Sequence, residues 1–133
     1  MAFLCLDRRD IDLFHGDSLQ RYGGLVGPPD EGVLESTLAR PLNLLAYEPN
    51  RTIFDLAASY GYGFARNHCF PDGNKRVALA AMDVFLMING LDLNADEAEA
   101  VVILNAVAAG NMSQEELSAW LAARSSQLAE GEI

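Results

Sequence analysis

Apolar residues recur along the chain at helical rather than strand spacing, and polar punctuation divides them into segments. Asp7 precedes a stripe of Ile11, Phe14 or His15, Leu19 and Tyr22, and Gly23-Gly24 follows it. That order predicts a first helix capped by Asp7 and ended near Tyr22. Gly27-Pro28-Pro29-Asp30 reads as a loop. Asp30 then caps a short second helix with Val33, Leu34 and Leu38 turned inward, until Pro41 stops it. Residues 41–49 show no clear period, and there is room for one short hairpin between residues 41 and 51. Thr52 with Asp55 is a capping-box variant, and Ile53, Ala57, Tyr60 and Phe64 share one face, so a third helix is expected to reach His68. Val77, Ala81, Val84, Phe85 and Ile88 form the stripe of a fourth helix. Ala78, Leu79, Ala80, Leu86 and Met87 make it apolar almost all round, which marks it as the buried centre. Asn89-Gly90 is its exit. Asn94 with Glu97 and Ser113 with Glu116 announce two more helices, separated by Gly110, the last carrying Leu117, Trp120, Leu121, Arg124 and Leu128. Residues 129–133 are expected to fray.

No segment alternates apolar and polar residues for long, so the fold class is all-α: a compact single-domain bundle of about six helices over residues 1–133. Half of the residues are apolar and 21% are charged, a globular rather than disordered composition. A formal net charge of −10 argues against direct nucleic-acid binding and against an anionic membrane surface, since both repel an acidic protein. No apolar run approaches the roughly 18 residues of a membrane span. The opening residues have neither the basic leader nor the apolar length of a signal peptide, so a cytoplasmic location is expected. Cys5 and Cys69 are too few for a disulfide framework and lack zinc spacing, so both are expected to be free.

The run His68-Cys69-Phe70-Pro71-Asp72-Gly73-Asn74-Lys75-Arg76 concentrates the candidate chemistry. It places a histidine at the end of one helix and an Asp-Gly-Asn turn at the start of the next. A helix N-terminus offers unpaired amides and a positive dipole end, so the backbone near Gly73, Asn74 and Lys75 can cradle phosphate oxygens, with Gly73 allowing close approach. Lys75 and Arg76 add cationic donors, or are simply solvated helix charges. Asp72 suits two roles equally, a magnesium ligand beside nucleotide phosphates or the N-cap of the fourth helix. His68 can serve as general base on a hydroxyl nucleophile if it faces the phosphate pocket rather than the core. Phe70 reads as the anchor that plugs the turn into the core, and Pro71 stiffens it. A P-loop, a His-Glu-x-x-His zinc motif and a complete calcium loop are absent, and His15 has no chemical company.

The nine-residue run resembles the H-x-F-x-[DN]-[AG]-N-K-R pattern of Doc-type toxins in the Fic/Doc family, with every fixed position met. Asp30-Glu31-Gly32-Val33-Leu34-Glu35-Ser36, Arg40-Pro41, Phe85-Leu86 and Asn89-Gly90 resemble the family's framework, so the likeness covers most of the chain. The resemblance implies a helical Fic fold with His68 as catalytic base, Asp72 as Mg²⁺ ligand, and Gly73, Asn74, Lys75 and Arg76 as the phosphate nest. It implies an ATP-dependent kinase that phosphorylates a threonine of elongation factor Tu, stops translation, and is neutralised by a Phd-like antitoxin. Fic enzymes proper carry glycine where Lys75 stands and transfer the nucleotidyl group of ATP, which is the nearest alternative activity. A catalytically silent helical binding module is the other. The chain departs from the family in having Pro28-Pro29 before Asp30, where an arginine is common.

Overall fold

The computed structural model describes residues 3–128, which form six helices and a two-stranded ladder. The helices are α1 (Arg8–Tyr22), α2 (Glu31–Tyr47), α3 (Ile53–Arg66), α4 (Asn74–Ile88), α5 (Glu97–Ala108) and α6 (Gln114–Arg124). The strands are β1 (Leu91–Leu93) and β2 (Ser125–Gln127), paired antiparallel with Asp92 opposite Ser126. The architecture is all-α, and the ladder only fastens the end of the chain.

Local sequence accounts for most helix starts. Asp7 with Asp10, Thr52 with Asp55, and Ser113 with Glu116 close reciprocal capping boxes, each satisfying orphan amides of a first turn. Gly23, at φ 74°, ends α1 by donating its N–H to the Leu19 carbonyl at 2.8 Å.

Four expectations are corrected. Helix α2 runs through Pro41 to Tyr47, so no hairpin lies between residues 41 and 51. Leu34, Thr37 and Pro41 form one buried stripe that Leu44 and Leu45 continue against the core, and this burial outweighs the roughly 3 kcal/mol cost of an interior proline. Helix α3 stops at Arg66, short of His68, with Asn67 as C-cap. Helix α5 is capped by Asp96 rather than Asn94, because Asn94 is drawn into the ladder, where its side chain donates to Ser126 Oγ at 2.8 Å. Helix α6 ends at Arg124, and Leu128 follows β2. There Ser125 Oγ donates to the Leu121 carbonyl while the backbone turns extended to pair with β1. Residues 129–133, expected to fray, lie outside the described residues.

Helices α3 and α4 form the buried centre. Helix α3 buries nine residues from Leu56 to Ala65. Helix α4 buries Val77, Ala78, Ala81, Met82, Phe85 and Leu86. The two approach closely at Gly61, where a Cβ would stand 2.2 Å from Met82 Sδ. Tyr60, fully buried, tilts against Phe85 at 5.1 Å and accepts the Leu6 N–H on its hydroxyl at 3.1 Å, and burial pushes its phenol up to about 12.

Both described ends of the chain are fastened beyond the C-terminus of α4. Asn89 exchanges two 2.9 Å hydrogen bonds with the Leu4 backbone, and the Leu128 N–H donates to the Gly90 carbonyl at 3.1 Å. The opposite end of α4 carries the His68–Arg76 turn.

Candidate active site

The turn between α3 and α4 is built by side chains that face inward and a backbone that faces out. Asn67 closes α3 and donates from Nδ2 to Thr37 Oγ1 at 3.0 Å, tying the turn to α2. His68 follows at φ 50°, the one non-glycine residue with positive φ among the described residues. This left-handed conformation costs on the order of 1 kcal/mol and sends the exposed imidazole into solvent rather than into the core. Cys69 turns the other way. It is fully buried, its Sγ lies 3.5 Å from Thr37 Oγ1, and its carbonyl accepts the Asp30 N–H at 2.9 Å. Burial pushes the Cys69 thiol up, so it stays protonated, while Cys5 is exposed, and both are free.

Phe70, the third residue of the turn, packs inward. It is 4% exposed and stacks on His15 of α1 with centroids 3.8 Å apart and planes 13° from parallel. Asn74 clamps it from the other side: its Oδ1 accepts the Phe70 N–H at 3.0 Å and its Nδ2 donates to the Phe70 carbonyl at 2.9 Å. The Asn74 side chain is thereby engaged in holding the turn, and only its backbone amide is available to an anion.

Asp72 does not cap α4. The N-cap is Gly73, left-handed at φ 83°, and no side chain bonds to the first-turn amides. A carboxylate beside an N-terminus normally folds over those amides. Here Asp72 Oδ1 accepts the Gly73 N–H at 2.9 Å and Oδ2 accepts the Leu25 N–H at 3.1 Å, from the loop between α1 and α2. These bonds, with a smaller contribution from Arg76, hold the Asp72 carboxyl below its ordinary value, so it is anionic at neutral pH. The amides of Asn74, Lys75 and Arg76 are left as the open first turn, since the next amide, that of Val77, already donates to the Gly73 carbonyl at 3.0 Å.

Lys75 and Arg76 reach outward to flanking helices. Lys75 Nζ donates to Asn105 Oδ1 of α5 at 2.8 Å, and the Arg76 guanidinium lies 4.4 Å from the centre of the Tyr22 ring. Among the described residues neither pairs with a carboxylate. Both line a cleft of about 620 Å³ between α1, α4 and α5, with Leu79 and Leu104 as apolar walls. Tyr22, expected to face the core, stands exposed at the edge of this cleft, held by the cation.

The residues fit a magnesium ion in one respect that can be checked on the fold. Asp72 is anionic and each of its oxygens accepts a single amide, which leaves lone pairs free, and magnesium is commonly held by one carboxylate together with phosphate oxygens and water. Among the described residues, no group of three or more histidine, cysteine or acidic side chains could hold a metal by itself.

Sequence reasoning missed His15. Its Nε2 lies 3.1 Å from the Asp72 carbonyl and its ring covers Phe70. It stands 57 residues before Asp72, so only the packing of α1 on α4 brings them together. Thr37 was missed for the same reason.

No helix among the described residues is long and apolar enough to cross a membrane. The model of the Fic/DOC family matches residues 5–86. The chain is 37% identical over 120 residues to the toxin Doc of Mycolicibacterium smegmatis, covering 88% of this chain and 90% of that one. It is likewise 37% identical over 84 residues to the protein kinase doc of Escherichia phage P1, covering 63% of this chain and 67% of that one. With the helical fold, the intact motif and these matches in agreement, the chain belongs to the Fic/DOC family.

Proposed function

We propose that this protein is the toxin of a toxin–antitoxin pair and acts as an ATP-dependent protein phosphotransferase on a serine or threonine hydroxyl of a translation factor. Elongation factor Tu is the target that the family resemblance suggests, and a Phd-like antitoxin is the partner. One observation carries the reading: an uncapped helix N-terminus opens between an anionic Asp72 and an exposed His68. The two relatives, one named a protein kinase and the other a toxin, support the same reading.

In this mechanism His68 takes the proton from the target hydroxyl as its oxygen forms a bond to the γ-phosphorus. The bond from that phosphorus to the bridging oxygen breaks, and ADP leaves. The amides of Asn74, Lys75 and Arg76 meet the charge on the transferring group, and the left-handed Gly73 aims them. Lys75 and Arg76 supply nearby positive charge. A magnesium ion, held by Asp72 and phosphate oxygens, would neutralise phosphate charge.

Nucleotidyl transfer is the second reading. It is less well supported because the Lys75 side chain, fixed to Asn105, fills space at the cleft that glycine would leave open. Incubation with ATP labelled at the α or γ phosphate, magnesium and a cell extract separates the readings. Label from the γ position on a protein supports phosphotransfer, label from the α position supports nucleotidyl transfer, and neither supports a silent binding module. A His68→Ala protein that labels as fast as wild type would remove the base from the mechanism.

A further inference from the structure

We propose that His15 is a positioning residue of this site, setting the direction of the Asp72 carboxylate by holding the peptide that joins Asp72 to Gly73. The inference rests on the phosphotransfer reading for its activity readout, and on geometry alone for the rest. His15 is 9% exposed, makes two contacts with the turn and stands beside Gly73. Its ring stacks on Phe70 at 3.8 Å, its Nε2 lies 3.1 Å from the Asp72 carbonyl, and its Cδ2 lies 3.6 Å from where a Cβ on Gly73 would stand.

The acceptor at 3.1 Å is a carbonyl oxygen, so Nε2 carries the proton and donates. The Asp72 carbonyl and the Gly73 N–H belong to one planar trans peptide and point in opposite directions. Drawing the carbonyl toward α1 therefore turns the Gly73 N–H away from α1. There it meets Asp72 Oδ1 at 2.9 Å. His15 thus acts on the carboxylate through one rigid peptide, and it acts on the left-handed Gly73 that opens α4 through the same plane. The Asn74 clamp cannot substitute, because it holds the backbone of Phe70, two residues earlier. Through His15, helix α1 becomes part of the catalytic framework.

The test uses the full chain, with two variants and one measurement on the wild type. His15→Phe keeps an aromatic ring over Phe70 and removes the donor, whereas His15→Gln keeps an N–H donor and removes the ring. Partners that orient metal-binding groups typically cost 10- to 100-fold in metal affinity or activity when removed. His15→Phe is therefore expected to lose about 10- to 100-fold in Mg²⁺ affinity measured calorimetrically with a non-hydrolysable ATP analogue, and in kcat for γ-phosphate transfer, with KM for ATP less changed. His15→Gln is expected to recover part of the Mg²⁺ affinity. Nitrogen NMR of the wild type should show a proton on Nε2. A His15→Phe protein with wild-type Mg²⁺ affinity and kcat, a His15→Gln protein with no recovery, or an Nδ1–H tautomer in the wild type would each overturn the assignment. A wild type that binds Mg²⁺ and transfers no phosphate would instead overturn the phosphotransfer reading, with the affinity and tautomer results still deciding the role of His15.

Discussion

Replacing Asn74 by alanine should unfold the turn rather than disable its chemistry. The variant loses two hydrogen bonds, at 3.0 and 2.9 Å, and leaves the half-buried Phe70 N–H without an acceptor. Each lost bond costs about 1 kcal/mol and an orphaned donor about 1 to 3 kcal/mol, while alanine returns roughly 0.5 kcal/mol of helix propensity at this first helical position. The sum is a loss of about 2.5–4.5 kcal/mol, which for a chain of this size lowers Tm by roughly 8–22 °C. His68→Ala is the control: its imidazole is exposed and has no hydrogen-bond partner among the described residues, and alanine carries the same Cβ at φ 50°, so the same scan should show a shift within about 2 °C. Thermal unfolding followed by far-ultraviolet circular dichroism measures both. An Asn74→Ala protein that melts with the wild type would refute the clamp and return Asn74 to a purely anion-binding role.

Further tests follow from the same geometry. Gly73→Ala places a side chain at φ 83° and a Cβ 3.3 Å from Ser18 Oγ, so it should lose about 1–2 kcal/mol in chemical denaturation and disturb the first turn, and wild-type stability would contradict the left-handed N-cap. The Asp72 carboxyl titrates below its unfolded value, so the stability it confers is fully present above about pH 4 and fades as pH falls through its lowered folded value. The stability gap between wild type and Asp72→Asn should accordingly close in acid, and a gap that widens there would reverse the sign of the argument. A thiol reagent under native conditions should label Cys5 and spare Cys69 until denaturant is added, whereas equal rates would mean that the turn opens far more often than its burial implies.

What could be read from the sequence is what local chemistry determines. The boxes at Asp7, Thr52 and Ser113 are closed by residues three positions apart, and the nine-residue turn is contiguous, so both were visible before any packing was known. Pro41 was misread because punctuation is a local signal and the burial that overrides it comes from α3 and the core. Asn94 lost its cap role to a strand partner more than thirty residues later. On its residues alone Asp72 suited cap and ligand equally, the family resemblance implied the ligand, and the left-handed Gly73 takes the N-cap position itself. His15 carried no signal at all, because a lone histidine on a helix says nothing about which carbonyl will face it.

The fastening of Leu4 to Asn89 and of Leu128 to Gly90 has a practical reach. Helix α4 has 15 residues and so spans about 22 Å, with the His68–Arg76 turn at one pole and both described chain ends at the other. A surface, a fluorophore or a force probe attached at either end would pull on the pole remote from the turn. The chain can therefore be immobilised or manipulated with its reactive pole facing free solvent, an orientation built into the route of the backbone.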